Sequence, residues 1–146
     1  MMLRYAQLLL MVLFTSIPLS VWASPSVDPT VFFTNTGGRW DTVSGHGFYK
    51  VTVWNEGFEH VTSGVIAEWV ADPQDSNDSS KVINTVQLVE LGLYSFQMPI
   101  ISQLKDGVRI KLMGVNAYQS NQRVSCIFEL KPNKVVLTVK PCTLQK

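Results

Sequence analysis

The chain has few of the residues from which catalytic and metal sites are usually built. It contains only two histidines and two cysteines in 146 residues. Neither an HxH nor an HExxH spacing occurs, and no histidine stands near a cysteine, so no zinc-binding pattern is present. The G-x-S-x-G motif of serine hydrolases is also missing. These absences favour a non-enzymatic protein without a metal or cofactor.

Charged residues are scarce, at 16% of the chain, and they are unevenly distributed. Residues 24–104 contain three cations and nine acids, whereas residues 105–146 contain eight cations and two acids. The neutral total argues against nucleic-acid binding, which needs a net basic surface. The uneven distribution would suit docking to a partner or to identical copies. We favour the simpler interpretation that oppositely charged side chains neutralise each other across neighbouring strands.

The one extended apolar stretch lies at the N-terminus. Arg4 precedes an apolar run over residues 8–14, polar residues and a proline interrupt the second half of the segment, and small residues end it at Ala23. This order predicts a cleaved signal peptide of residues 1–23. A retained membrane anchor would need about 20 mainly apolar residues. We therefore expect an exported protein, periplasmic or extracellular, with residues 24–146 as a single domain and no membrane span after cleavage.

Two cysteines in an exported chain predict a disulfide between Cys126 and Cys142. The last two strand-like segments read as a hairpin whose turn lies at residues 132–133, which places Cys126 opposite Val139. The bond therefore requires a bulge or a turn of the chain near Pro141, because disulfides need Cα atoms within about 7 Å.

Segments that would form helices are absent after residue 23. Apolar and polar residues instead alternate with a period of two, as in Tyr49, Val51 and Val53, across about eight short segments separated by turn residues. This pattern predicts an all-β fold, an immunoglobulin-like or related two-layer antiparallel β-sandwich. Pro99 predicts an edge strand or a bend at that position.

Two polar segments, residues 35–47 and residues 71–80, are predicted to be loops. Trp40 stands in the first one beside Arg39 and Asp41, where we expect it to be exposed and able to stack on a sugar or to contact a protein. His46 completes this group of candidate binding residues.

Two further patterns fall in or near these loops. Asn77 begins an N-glycosylation triplet, which matters only in a glycosylating host. His46 and His60 flank one predicted strand, which would hold them about 20 Å apart. They would meet in a site only if the adjoining loops folded back.

Three hypotheses remain for the function. The first is an exported, non-enzymatic protein-interaction module, such as an accessory or structural subunit of a cell-envelope or secretion assembly, with protein partners or identical copies bound at its edge strands. The second is a small secreted binder or inhibitor that recognises a carbohydrate or a protein through residues 35–47 and 71–80. The third is a hydrolase centred on His46 and nearby acids. No family signature in the sequence decides among them.

Overall fold

The computed structural model describes residues 30–75 and 77–145, and all of its regular structure is β. The predicted signal peptide, residues 1–23, lies outside the described residues. Nine strands follow one another: β1 (Thr30–Thr42), β2 (Gly45–Glu56), β3 (Thr62–Ala71), β4 (Lys81–Val89), β5 (Tyr94–Phe96), β6 (Ile100–Leu104), β7 (Gly107–Asn116), β8 (Gln119–Leu130) and β9 (Val136–Gln145). In the part of the chain that the structure covers, no helix is long and apolar enough to cross a bilayer.

The strands form two antiparallel sheets of consecutive strands. One sheet has the order β1-β2-β3-β4. In the other, β5 and β6 pair one after the other along β7, which is followed by β8 and β9. The predicted all-β architecture with two antiparallel layers is therefore confirmed, whereas this strand order does not show an immunoglobulin-like type. Residues 97–99 separate β5 from β6, which agrees with the bend expected at Pro99.

The core lies between the two sheets and comes from their central strands. Alternate residues of these strands point inward, because successive side chains of a strand face opposite sides of a sheet. The buried apolar residues of the central strands include Tyr49, Val51 and Val53 of β2, Val65, Ala67 and Trp69 of β3, Val108, Ile110 and Leu112 of β7, and Val124, Cys126 and Leu130 of β8. Trp69 also donates from Nε1 to the backbone oxygen of Lys131, at 2.9 Å, and so ties the β8–β9 turn to the first sheet.

Hydrogen bonds close the sandwich along one side, where β1 lies beside β6. The Arg39 backbone donates to Oε1 of Gln103 at 2.7 Å, and Nε2 of Gln103 donates to the Arg39 oxygen at 3.2 Å. Asn35 donates from Nδ2 to the oxygen of Pro99 at 2.8 Å. Gly38 has a φ of 66° at this seam, and a side chain there would overlap Val108.

The disulfide joins Cys126 to Cys142, and the register of β8 with β9 explains how the two cysteines come to lie opposite each other. Leu130 pairs with Val136 at the start of the hairpin, but two register shifts follow before Ser125 pairs with Thr143. Each shift adds one residue to β9, which brings Cys142 opposite Cys126. The predicted need for a bulge near Pro141 is thereby met.

One predicted loop is a loop in the structure and the other is not. Between β3 and β4, residues 72–75 and 77–80 have no regular structure, as expected. Residues 35–47, by contrast, belong mostly to β1 and β2, with a turn only at residues 43–44. The prediction of a loop over residues 35–47 is wrong because glycines and small polar residues, which favour turns, also occur in edge strands whose outer side faces solvent.

Candidate functional site

A cleft of about 750 Å³ lies at one end of the sandwich, between the β1–β2 turn and the 72–80 loop. An adjoining depression of about 600 Å³ extends towards the β8–β9 turn. Trp40, Ser44 and Ile83 line both. The structure therefore brings together parts of the two segments that sequence analysis selected for binding, although one of them is a strand hairpin.

Trp40 forms part of the wall of this cleft but belongs to the core. Its side chain is 4% exposed and donates from Nε1 to the oxygen of Phe48 at 3.0 Å. It pairs in register with Gly47, whose missing side chain leaves room for the indole. The expectation that Trp40 stands exposed on a loop is wrong, and a ring this deeply buried offers no open face for a sugar.

Three polar side chains meet beside the cleft. Arg39 forms a hydrogen-bonded ion pair with Asp72, and Nε2 of His46 lies 3.8 Å from Oδ2 of the same carboxylate. The Asp72 backbone also donates to the His46 oxygen at 3.1 Å. The cluster fastens the start of the 72–80 loop to the β1–β2 hairpin. Asp72 escaped the sequence analysis because only the fold places it beside residues about thirty positions away.

The remaining candidates do not join this cluster. Asp41 pairs in register with His46 but is exposed, and its side chain forms no hydrogen bond or ion pair with the described part of the chain. His60 lies beyond the far end of β2, with its ring 4.8 Å from that of Tyr118. Over residues 30–75 and 77–145, no group of three or more His, Cys, Asp or Glu side chains is arranged to hold a metal.

The side of the sandwich opposite the β1–β6 seam is open. No residue of β4 or β9 is buried. Nevertheless, many of the partly buried apolar residues that pack on the core lie on these two strands: Val86, Leu88, Val89, Val136 and Cys142. Val82 on β4 and Val139 on β9 are more than 40% exposed. The core therefore remains accessible along this side, which we call the open side.

The two halves of the described chain carry opposite charge. Residues 30–90, which contain the first sheet, have three cations and eight acids, whereas residues 91–145 have seven cations and two acids. With neutral histidines the net charges are −5 and +5. Each ion pair found among the described residues joins two residues of the same half. The strands of the first sheet carry three cations and three acids, so charges within that sheet balance as expected, and the excess acids of its half lie in the connections between strands.

The features that bear on function are therefore the cleft, the open side and the two oppositely charged halves. Comparisons of the chain with models of protein families, with curated proteins and with solved structures find no match.

Proposed function

We propose that this chain is an exported, non-enzymatic protein-interaction module that binds an extended strand of a partner protein at its open side. Its expected setting is a cell-envelope or secretion assembly, in which it acts as an accessory or structural subunit. The disulfide supports a compartment outside the cytoplasm, because such bonds persist in oxidising environments.

The open side is the observation that carries this proposal. An edge strand presents unpaired backbone N–H and C=O groups, and an added strand satisfies them while its alternate side chains fill apolar positions. Here Val86 and Leu88 lie half-buried where such side chains would pack. Each methylene that an added strand covers would contribute about 0.8 kcal/mol.

Between the two edges, β4 is better suited to receive a strand than β9. Strand β9 contains Lys140 and Pro141, and a charge and a proline are features that block strand addition at an edge, whereas the pairing of each edge strand has two register shifts. Strand β4 has no charge or proline from Val82 to Val89, and its pairing with β3 is regular from Asn84 to Gln87. We therefore assign the partner strand to β4.

The test is recovery of partners from the native cells with a tagged protein carrying Thr85→Lys and Gln87→Lys. Both side chains are exposed on β4, so the charges should block strand addition without disturbing the core. Thr138→Lys with Thr143→Lys on β9 provides a control of equal charge. Size fractionation and mass spectrometry should show defined companions with wild type and with the β9 variant only. The proposal would be overturned if the β4 variant recovered the same companions as wild type. It would also be overturned if every protein migrated as a free species of about 13 kDa, at about 110 Da for each residue of a single domain.

The cleft supports a second candidate function, a small secreted binder or inhibitor of a carbohydrate or protein. The supporting observation is that Ser44 and Gln74, from the two segments selected in the sequence, both line it. Ser44→Trp should obstruct the cleft and abolish binding in a glycan and protein array, whereas the β4 variant should bind normally. Binding that survives Ser44→Trp would remove this candidate.

A further inference from the structure

The outer face of the second sheet carries a group of cations that no part of the proposed strand binding uses. Arg109, Lys111, Arg123 and Lys140 lie on it, and we call this surface the basic face. The pairing places Ile100, Lys111, Ile127 and Lys140 in one row across β6, β7, β8 and β9. A single row therefore alternates apolar and cationic side chains over the width of the sheet.

Most of this positive charge has no internal partner. Arg109 donates from Nη2 to Glu129 at 2.7 Å, and Lys131 lies 3.9 Å from the other oxygen of that carboxylate. Among the described residues, Glu129 is the one acid on this outer face. Within the described residues, Lys111, Arg123 and Lys140 form no ion pair.

Apolar side chains are exposed between the cations. Ile100 is 52% exposed, Met113 41% and Leu137 45%. A surface of this kind combines an apolar contact area with charges that select the partner, which is the usual composition of a polar protein interface.

We infer that the basic face docks on the acidic half, residues 30–90, of a second copy of this chain. The charge complement is present in the molecule itself, since the two halves carry net charges of −5 and +5. Oppositely charged surfaces steer encounter and fix the orientation of the partners. Because the contact joins two different surfaces, it leaves one of each free and leads to a ring or to an open chain of copies.

The size of the face indicates a weak contact. Four strands about 4.8 Å apart and ten residues long at about 3.3 Å each cover roughly 600 Å². A stable interface of standard size buries about 800 Å² on each partner. The association should therefore be reversible and depend strongly on salt, because the charges lie at the surface.

The experiment is sedimentation velocity of the purified mature protein over a range of concentrations at about 0.01 M and about 1 M salt, where the Debye length is about 30 Å and about 3 Å. Wild type should form concentration-dependent species larger than a monomer at low salt and be monomeric at high salt. Lys111→Glu with Lys140→Glu should weaken the low-salt association about tenfold or more, whereas Lys111→Arg with Lys140→Arg should retain it. Lys105→Glu with Lys134→Glu is the matched control, since it makes the same change in net charge in two turns away from the face.

Two outcomes would overturn the inference. One is that the wild-type protein stays monomeric at low salt. If this monomer bound vesicles of anionic lipid, the face would be assigned to another partner. The other is equal loss of association in the face variant and the turn variant, which would make net charge alone responsible. The β4 variant should associate as wild type does, so this inference and the proposed strand binding can fail separately.

Discussion

Replacing Trp40 distinguishes directly between an exposed binding residue and a core residue. Its side chain is 4% exposed and its Nε1 donates to the Phe48 oxygen. Truncation of a buried tryptophan to alanine costs about 3–5 kcal/mol, because packing is lost and a cavity remains. A domain of this size has about 5–15 kcal/mol of stability in total. We therefore expect Trp40→Ala to fold but to lose a large part of its free energy of unfolding.

Urea unfolding followed by far-ultraviolet circular dichroism measures this loss independently of indole fluorescence. With a slope of about 2 kcal/mol/M, the midpoint should fall by about 2 M. Trp40→Phe should lie between the two proteins, since it keeps an aromatic ring but leaves the Phe48 oxygen without its donor, at about 1–3 kcal/mol. The control is Tyr118→Ala, which removes a ring that is 57% exposed and should change stability by less than about 0.5 kcal/mol. If Trp40→Ala changed the free energy of unfolding by no more than the control does, the burial of this side chain would be refuted.

Three further perturbations test other parts of the fold. Cys126→Ala with Cys142→Ala removes a bond between residues 16 positions apart in sequence and should lower the free energy of unfolding by about 3 kcal/mol. Urea unfolding measures this loss, and an unchanged midpoint would contradict it. Gly38→Ala should lower the melting temperature, because φ is positive and the new methyl overlaps Val108; equal or higher stability would show that the seam is loose. Burial raises the pKa of Tyr49 to about 12, from about 10 in the unfolded chain. The unfolded chain then loses its proton first, so stability should fall between pH 10 and pH 12, and Tyr49→Phe should show a smaller fall in alkaline urea unfolding; identical pH profiles would exclude this contribution.

Features that depend on local pattern could be predicted from the sequence. The period-two alternation of β2 identified its inward face, because the alternation follows from the pleat of a single strand. The hairpin ending in β9, and the bulge that a bond between Cys126 and Cys142 requires, followed from counting residues across one turn, and β9 contains two such register shifts.

Features that depend on the neighbours of a strand could not be predicted. Trp40 has polar and glycine neighbours in sequence, and nothing local shows that Gly47 lies opposite it and leaves the space it fills. Asp72 likewise gains its role only when β1, β2 and β3 are placed side by side, which brings Arg39 and His46 to it. The two segments chosen for the candidate site therefore lie together at one cleft, the expected exposure of Trp40 is wrong, and binding by these segments stays a prediction.

The charge separation illustrates how topology converts sequence order into a surface property. If consecutive strands alternated between the sheets, as in immunoglobulin domains, acids from the first half and cations from the second would share each sheet and neutralise each other. Here each sheet is built from consecutive strands, with one connection between them at residues 90–93. The difference between the halves of the sequence therefore becomes a difference between two parts of the domain: the strands of the second sheet are basic, and the excess acids lie in the connections of the first. A molecule with no net charge over its described residues still has a basic face, and the association that we infer for that face should respond to salt as that of a charged protein would.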